Sequence, residues 1–417
     1  MLQNVRLGPE VFEDRGDAAS MLRDIETAGH SVGDMLCEAL RSVRSHLGMD
    51  VAFVAEMVQG LRVFRHVCGR DDSPPICVGG SDPLSDSYCQ RVVDGRLPQL
   101  IPDTSKLPEA VALPITAILG IGSYISVPIR FSDGRLYGTF CCFSSKPDGT
   151  LNERDLDTLR LFADFAGRLL ETQAREQREH EERLARINGV LSEQAYNVVY
   201  QPIFNVLRNS VVGYEALARF SGEPQRTPDL WFDEAEQVGL QCELEMALVK
   251  EALKGLGDIR RDCYLSINVS PETILAGAVG TLLEGQPLDR LMLEVTEHAS
   301  VRDYDLIAEA LAPMRAKGLL LAVDDAGAGY ASFRHILKLK PDVIKLDGSL
   351  IRNIDSNRDC RALASALIRF GQETECKIVA ECVETEAELA ILRELQVSKA
   401  QGYLLGCPLP LGDRQMI

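Results

Sequence analysis

The feature that most constrains the fold of this chain is a series of eight short apolar runs between about residues 196 and 410. Helix-length stretches separate the later runs, and strands that alternate with helices predict parallel strands joined by crossover helices. Eight such units predict an α/β barrel of the (β/α)8 type. The runs are NVVYQPI (197–203), VVGYEALARF (211–220), CYLSINVS (263–270), LMLEVTE (291–297), LLLAVDDAG (319–327), VIKLDGS (343–349), KIVAECVE (377–384) and AQGYLLG (400–406).

The first two runs are joined by a connection, from 203 to 211, that is too short to hold a helix. Parallel neighbours need a crossover of about a dozen residues or more, so these two strands are expected to pair antiparallel. The predicted barrel is therefore TIM-like but irregular at its start.

Polar side chains recur within or at the end of seven successive runs. An ionised carboxylate in a barrel strand is costly unless it is paired or binds a metal ion. Any one of these residues alone would be interpreted as a surface carboxylate with a local salt-bridge partner. As a set they predict an active site, because barrel enzymes build theirs from the ends of several strands. The residues are Glu215, Asn268, Glu294, Glu297, Asp324, Asp325, Lys345, Glu381, Glu384 and Gln401.

Oxygen donors without histidine or cysteine favour Mg²⁺ or Mn²⁺ over zinc. The adjacent Asp324 and Asp325 suggest two ions that share a bridging carboxylate. Two divalent ions about 3.5–4 Å apart suit the in-line hydrolysis of a phosphodiester. Lys345 is expected on the same face, where it would orient the attacking water or neutralise developing charge.

The residues before the barrel have a different sequence pattern from those of the barrel. A helical pattern at 32–48, a predicted hairpin at 123–143 and a closing helix from 153 predict a small α+β domain, with one helix layer on an antiparallel sheet. The densely charged segment 171–194 contains no proline and continues the helical pattern. It is interpreted either as a solvated connecting helix or as half of a parallel two-helix linker.

Composition excludes several classes of protein. The formal net charge is −18, which argues against a binder of nucleic-acid polymers. No apolar run reaches the ~20 residues of a membrane span. The twelve cysteines include no CxxC pair, so neither a zinc site nor a disulfide framework is indicated. Reduced thiols in a cytoplasmic protein are the expectation.

The barrel region resembles the EAL domain, a family of cyclic di-GMP-specific phosphodiesterases. The resemblance covers nearly all of residues 196–410, with several motifs in order. It implies an irregular (β/α)8 barrel that hydrolyses cyclic di-GMP to linear pGpG with Mg²⁺ or Mn²⁺. The motifs are YQPI (200–203), EALAR (215–219), INVS (267–270), EVTE (294–297), DDAGAGYAS (324–332), KPDVIKLDGSLI (340–351), AECVE (380–384) and QGYLLGCP (401–408).

The resemblance also implies a role for each matching residue. The implied metal ligands are Glu215, Asn268, Glu294, Asp324, Asp325 and Glu381, with Asp324 shared between two ions. The implied catalytic residues are Lys345, which would contact the attacking water, together with Glu381 and Glu215. The implied substrate contacts are Gln201, Gln401 and Arg219, of which Arg219 would grip a phosphate. Glu297 would anchor the loop after Asp325, and Glu384 would support the site from behind.

Two departures from the family pattern bear on activity. The family loop Phe-Gly-Thr-Gly is Ala326-Gly327-Ala328-Gly329 here, and the glycine of the AEGVE motif is Cys382. The first change removes an apolar anchor and a hydroxyl, whereas every metal-binding position is retained. An active enzyme is therefore the favoured interpretation. A catalytically degenerate receptor for cyclic di-GMP is the alternative, and a scaffold that dimerises through the linker is a third.

The first region resembles a GAF domain. The motifs are DSYCQRVVDGRLPQLIPD (86–103), IGSYISVPI (121–129), GRLYGTFCCFSS (134–145) and ERDLDTLRLFADFAG (153–167). Domains of this family bind cyclic nucleotides, tetrapyrroles or other small molecules, and some only dimerise. Cys89 is the candidate for covalent chromophore attachment, although no histidine follows it. His66 is either a haem ligand or a packed strand residue. The GAF ligand stays open.

The predicted organisation has four segments: an N-terminal extension with a helix at 1–29, a GAF sensor domain at 30–170, a helical linker at 171–194 and an EAL phosphodiesterase barrel at 195–417. The protein is expected to be a homodimer in which the GAF domain regulates cyclic di-GMP hydrolysis. We expect it to have no membrane span and to bind no nucleic-acid polymer.

Overall fold

The computed structural model of the chain describes residues 18–27, 31–70, 75–295, 304–326 and 332–413. The chain divides into two compact units, Met1–Glu179 and His180–Ile417. Within the described residues, no helix has both the length and the apolar character required to cross a bilayer.

The N-terminal unit is built on a six-stranded sheet of order β3-β2-β1-β6-β5-β4. Every described strand pair in it is antiparallel, and β5 and β6 form the hairpin expected around Gly134. The strands are β1 (Val51–Val58), β2 (Leu61–Gly69), β3 (Ser81–Pro83), β4 (Leu100–Ile101), β5 (Ser123–Arg130) and β6 (Leu136–Ser144). The helices are α1 (Ala18–Thr27), α2 (Val32–Leu47), α3 (Tyr88–Val93), α4 (Pro108–Val111), α5 (Pro114–Leu119) and α6 (Glu153–Glu193).

Helices cover this sheet on both faces, so the expectation of a single helix layer was wrong. Along β1, Ala52 and Val54 pack with α2 and α6, whereas Phe53 packs with α3 and α4. Successive strand residues point to opposite faces, and here both faces carry apolar side chains. The short helices α3, α4 and α5 were missed because stretches of four to six residues carry little helical periodicity.

Helix α6 begins after Asn152, whose side-chain oxygen accepts a hydrogen bond from the Arg154 backbone N–H at 2.9 Å. Such a cap satisfies one of the N–H groups left open at a helix start. The helix then continues without interruption to Glu193, so the segment predicted as a helical linker is helical. Its first part buries Leu159, Phe162 and Ala166 in the N-terminal unit.

The C-terminal unit is a closed eight-stranded barrel of order β10-β11-β12-β13-β14-β7-β8-β9. Strand β7 is antiparallel to both its neighbours and the other pairs are parallel, which confirms the irregular TIM-like barrel. The strands are β7 (Tyr196–Asn205), β8 (Ser210–Phe220), β9 (Tyr264–Asn268), β10 (Leu291–Val295), β11 (Leu320–Ala326), β12 (Val343–Leu346), β13 (Lys377–Ala380) and β14 (Lys399–Ala400).

Nine helices of the described residues follow or connect these strands. They are α7 (Pro228–Gln237), α8 (Gln241–Lys254), α9 (Pro271–Leu275), α10 (Ala278–Leu283), α11 (Tyr304–Arg315), α12 (Ser332–Leu339), α13 (Gly348–Ile351), α14 (Arg358–Glu373) and α15 (Glu386–Glu394). Buried apolar side chains of α8 to α15 form one core with residues of the strands. Those of α7 belong to a second cluster with the end of α6 and the start of α8.

The last apolar run is not a strand over 400–406 as expected, since β14 ends at Ala400. After it the chain turns: the N–H groups of Leu405 and Gly406 both bond to the Gly402 carbonyl at 3.0 Å. A side chain at Gly402 would lie 2.2 Å from the Val383 backbone, so the turn packs against the neighbouring segment. The apolar residues of this run fill space beside the barrel rather than extending the sheet.

Candidate active site

Strand alternation places the polar residues in the barrel interior. One apolar layer inside the barrel comprises Ile203, Tyr264, Met292, Ala322, Val343 and Val379. Two residues further along four of these strands come Glu294, Asp324, Lys345 and Glu381. Residues i and i+2 point to the same side of a strand, so these four side chains form the next interior layer. The polar cluster therefore lies directly next to the apolar layer in the barrel interior.

Lys345 lies at the centre of this polar layer and is 1% exposed. Its Nζ atom lies within 4 Å of four carboxylates, three of them on the strands β8, β10 and β11 and the fourth directly after β13. The distances are 3.4 Å to Glu215 Oε1, 2.6 Å to Glu294 Oε2, 3.3 Å to Asp324 Oδ1 and 2.7 Å to Glu381 Oε1. One ammonium therefore faces up to four negative charges.

Amide side chains hold Glu215 in place. Asn268 Nδ2 donates to Glu215 Oε1 at 3.0 Å, and Gln401 Nε2 donates to Glu215 Oε2 at 2.5 Å. Gln401 Nε2 also lies 3.1 Å from Gln201 Oε1, and Gln201 Nε2 donates to the Gly406 carbonyl. The Oε1 atom of Gln401 is buried and has no hydrogen-bond partner among the described residues. That oxygen is a hydrogen-bond acceptor available to a ligand.

The two aspartates at the end of β11 differ in exposure and in backbone. Asp324 is 8% exposed, whereas Asp325 is half-buried and has a left-handed φ of 57°. Its N–H donates to Asp324 Oδ1 at 2.9 Å. Aspartate tolerates this backbone conformation better than most residues, and such strain is common at functional sites. Cys382, next to Glu381, has a similar φ of 54°.

The crowding of charge shifts the pKa values of the cluster. Burial alone would lower the pKa of Lys345, but the surrounding carboxylates raise it well above its usual range. Burial and the nearby Glu215 raise the pKa of Glu294, and burial raises that of Glu381 to about 8, Asp324 adding to the effect. In contrast, Lys345 and the two amides outweigh burial and lower the pKa of Glu215. The cluster carries more carboxylates than its one lysine can neutralise.

The same carboxylates form two overlapping groups that could hold metal ions. Oxygen atoms of Glu215, Glu294 and Asp324 all lie within 4.8 Å of one another, as do those of Asp324, Asp325 and Glu381. Asp324 belongs to both groups. All the donors are hard oxygens, and their uncompensated charge is what a divalent cation would balance, so the residues present fit Mg²⁺ or Mn²⁺.

Two cavities open onto the cluster. The larger, of about 700 Å³, is lined by Asn268 and Asp325 and also by Arg219, Asp229, Phe232 and Asp233. The smaller, of about 320 Å³, is lined by Gln201, Glu215, Glu381 and Gln401, together with Arg352 and Tyr403. The polar cluster is therefore accessible to a substrate.

Two predicted site residues lie outside the central cluster, and a third is not among the described residues. Arg219 is exposed on β8 at the larger cavity, and its Nη1 donates to the Ala218 carbonyl at 2.8 Å. Glu384 lines the smaller cavity and lies 3.7 Å from Arg352 Nη2. Glu297 and the loop residues 327–329 lie outside the described residues.

Several residues of the site were not predicted from the sequence. Ser266 donates a short hydrogen bond to Glu294, and its position two residues before Asn268 on β9 could have indicated that it points inward. Asp229, Phe232 and Asp233 line the larger cavity. Their spacing, with Trp231 and Ala235 on the other face of α7, is the amphipathic signal that could have predicted them.

The two candidate ligand residues of the first region lie in different environments. Cys89 is fully buried, with its Sγ 3.5 Å from Arg62 Nη1 and 3.8 Å from Cys141 Sγ. His66 lies on β2 and is partly buried, and burial together with Arg65 lowers its pKa. Burial alone would raise the pKa of the Cys89 thiol, but a hydrogen bond with Cys141 and the nearby Arg62 lower it well below its usual range.

Family models match two parts of the chain. The model of the EAL domain matches residues 184–408, and the model of the GAF domain matches residues 29–171. The first match covers more than half of the chain and contains all the described residues of the polar cluster.

Two curated relatives illustrate the similarity. The probable cyclic di-GMP phosphodiesterase PdeD of Escherichia coli is 31% identical over 237 residues, which cover 54% of this chain and 44% of the relative. The cyclic di-GMP phosphodiesterase NbdA of Pseudomonas aeruginosa is 27% identical over 398 residues, 93% of this chain and 47% of the relative. The chain thus spans less than half the length of these relatives.

Solved structures show the same fold. A PaMucR phosphodiesterase in complex with c-di-GMP is 29% identical, with a TM-score of 0.51, over 55% of this chain and 98% of that one. The EAL enzyme Bd1971, with cAMP and cyclic di-GMP bound, covers 87% of this chain and 92% of its own, with a TM-score of 0.54 at 18% identity.

Proposed function

This chain belongs to the EAL domain family, with a GAF domain before the barrel, and from that premise we propose that it hydrolyses cyclic di-GMP to linear pGpG. The observation that carries the proposal is the buried layer in which Glu215, Glu294, Asp324 and Glu381 surround Lys345 beside a cavity of about 700 Å³. A similar protein of known structure, PaMucR, is named as a phosphodiesterase and was solved with c-di-GMP.

The proposed cofactor is a pair of Mg²⁺ or Mn²⁺ ions. The residues that would hold them are the five carboxylates of the two overlapping groups, Glu215, Glu294, Asp324, Asp325 and Glu381, together with the amide of Asn268. When bound, such ions polarise a phosphoryl oxygen and lower the pKa of an attacking water. The proposal assigns both ions to one site because Asp324 lies in both groups.

The chain's own residues would bind and orient the reactants. Arg219, which lines the larger cavity, would pair with a phosphate of the dinucleotide. The amides of Gln201 and Gln401 line the smaller cavity and would contact the substrate. Lys345 Nζ, held by four carboxylates, would orient the attacking water and stabilise negative charge as one P–O bond of the ring breaks. Glu297 and Glu384 would support these residues.

The GAF domain is proposed to regulate this activity in a homodimer. The helix α6 begins in the N-terminal unit, and two residues separate its end from the first barrel strand, so it joins the two domains in the chain. A small molecule is the proposed GAF ligand, and its identity is left open. We place the protein in the cytoplasm.

A receptor without catalysis is the second candidate. The observation that favours it is Ala326, which is fully buried at the end of β11 where the family has phenylalanine. An alanine fills less of the space at the base of the loop that follows Asp325. Such a protein would bind cyclic di-GMP and release it unchanged.

The test is the conversion of cyclic di-GMP to pGpG by the purified chain, followed by chromatography. Turnover with Mn²⁺ or Mg²⁺, abolished by EDTA and by Glu215→Gln, supports the phosphodiesterase. Lys399→Met is the control, since that lysine lines neither cavity. Tight binding of cyclic di-GMP with no product would establish the receptor instead.

A further inference from the structure

The helix α7 has two faces with different neighbours. Pro228, Asp229, Phe232 and Asp233 line the larger cavity on one face. Trp231, Glu234 and Ala235, at positions i, i+3 and i+4, are buried on the other. Whatever holds the buried face in place therefore also fixes the cavity wall.

Two arginines clamp the buried face through one carboxylate. Arg186, near the end of α6, donates to Glu234 Oε1 from Nη2 at 2.6 Å and to Oε2 from Nε at 3.3 Å. Arg226, before α7, donates to Glu234 Oε2 at 2.5 Å. Burial alone would raise the pKa of Glu234, but these hydrogen bonds lower it to about 2. The carboxylate is 11% exposed, so the clamp is partly shielded from water and salt.

Aromatic contacts link Arg226 to the strand that carries Arg219. The Arg226 guanidinium lies 4.0 Å from the ring centroid of Trp231, and Trp231 stacks on Phe220 at 5.5 Å. Phe220 is the residue after Arg219 at the end of β8. From α6, Ile187 and Val190 are buried in the same apolar cluster.

We infer that Arg186 and Glu234 are positioning residues, which hold the cavity-lining face of α7 and the end of β8 at the spacing that cyclic di-GMP requires. The inference rests on the proposed function, because it takes the larger cavity as the substrate site. Neither residue lines that cavity, so their effect must pass through α7. A charge at the end of α6 thereby sets the affinity of a site on the barrel.

The test compares the full chain with Arg186→Gln, Arg186→Lys and Arg369→Gln. Arg369 is the matched control, since it forms an exposed i,i+4 pair with Glu373 on α14. For Arg186→Gln we expect KM for cyclic di-GMP to rise about tenfold with kcat within about twofold, because the clamp acts on binding. Arg186→Lys keeps the charge but loses the bidentate contact, so its KM should lie between those of the wild type and Arg186→Gln. Arg369→Gln should have the KM and kcat of the wild type.

Tryptophan fluorescence reports on the environment of α7 independently of activity. Trp231 is the only tryptophan in the chain and is 1% exposed. Arg186→Gln should shift its emission to longer wavelength, with little change in the melting temperature. A shifted emission with unchanged KM would overturn the inference, as would a drop in kcat alone.

Failure of the proposed function would be visible in the wild type. If the wild type binds cyclic di-GMP but makes no pGpG, the phosphodiesterase proposal fails, and the inference is decided by whether Arg186→Gln raises the Kd by the same factor. If the wild type neither binds nor cleaves cyclic di-GMP, both proposals fail.

Discussion

At the scale of single residues, Lys345 organises the site. It is the described cation nearest four carboxylates, and its removal would leave them facing one another in a buried layer. Breaking a buried ion pair by removing one partner costs about 3–5 kcal/mol. The same lysine is proposed to act in the reaction, so a substitution there should affect stability and turnover together.

We expect Lys345→Met to lower turnover at least about a hundredfold, as the loss of one group that stabilises the transition state does. It should also lower the melting temperature without metal, because the carboxylates lose their counter-charge. Added Mn²⁺ should restore part of that loss, as measured by differential scanning calorimetry. Wild-type turnover in this variant would contradict the role proposed for the lysine.

Lys399 is a second buried lysine, one layer deeper in the barrel. Its Nζ donates to the Tyr264 hydroxyl at 3.0 Å, and burial lowers its pKa to about 8. The unfolded chain keeps a lysine pKa of about 10.4, so it binds more protons than the folded chain between pH 8 and 10. Burial of the charged lysine therefore lowers the free energy of unfolding by its full amount below pH 8. This loss disappears as the pH rises from 8 to 10.

Lys399→Met should therefore stabilise the protein at pH 7, by about 1–3 kcal/mol in urea unfolding. The gain should shrink as the pH rises from 8 to 10, because the wild type loses its burial penalty there. A gain that stays constant across this range would show that the lysine does not titrate as its burial implies.

At the scale of elements, the segment that carries Glu381 is held by the start of α15. Thr385 caps the helix, and its hydroxyl accepts a hydrogen bond from the Glu388 N–H. Glu388 in turn accepts from the backbone N–H groups of Asn353, Glu384 and Thr385 at 3.0 Å each. One buried carboxylate thus joins the loop after β13 to the loop after α13.

Thr385→Ala should cost about 1 kcal/mol of unfolding free energy, the usual loss for a helix cap. Glu388→Ala should cost more, about 2–3 kcal/mol, because three N–H groups lose their acceptor. Glu386→Ala, an exposed position on the same helix, is the control. Equal stability of all three variants would show that the capping box does not hold this segment.

The sequence predicted some elements of the fold and the site but not others. Strands β7 to β13 were predictable, since each is an apolar run with a polar residue near its end, whereas β14 was overextended because turn residues 403–406 are equally apolar. The carboxylate cluster was predictable from strand alternation. The cavity wall on α7 was only partly predictable. The amphipathic spacing of α7 separates its buried face from its exposed face, but the position of the exposed face beside the cavity depends on tertiary contacts through Arg186 and Trp231.

At the scale of the whole molecule, we expect a homodimer whose activity responds to the GAF domain. Light scattering at micromolar concentration should give twice the mass of the 45.9 kDa chain. A screen of small molecules against the full chain should find a ligand that raises the melting temperature and changes turnover. A monomer under these conditions would contradict the proposed assembly.

Side chains from neighbouring barrel strands are proposed to bind a pair of hard cations. Equilibrium dialysis with Mn²⁺ measures this binding, with Asp324→Asn as the variant that alters the shared ligand. We expect two tightly bound ions per wild-type chain and a loss of affinity for both in Asp324→Asn. The proposed metal site is wrong if the folded wild type binds no Mn²⁺, or if Asp324→Asn binds Mn²⁺ as tightly as the wild type does.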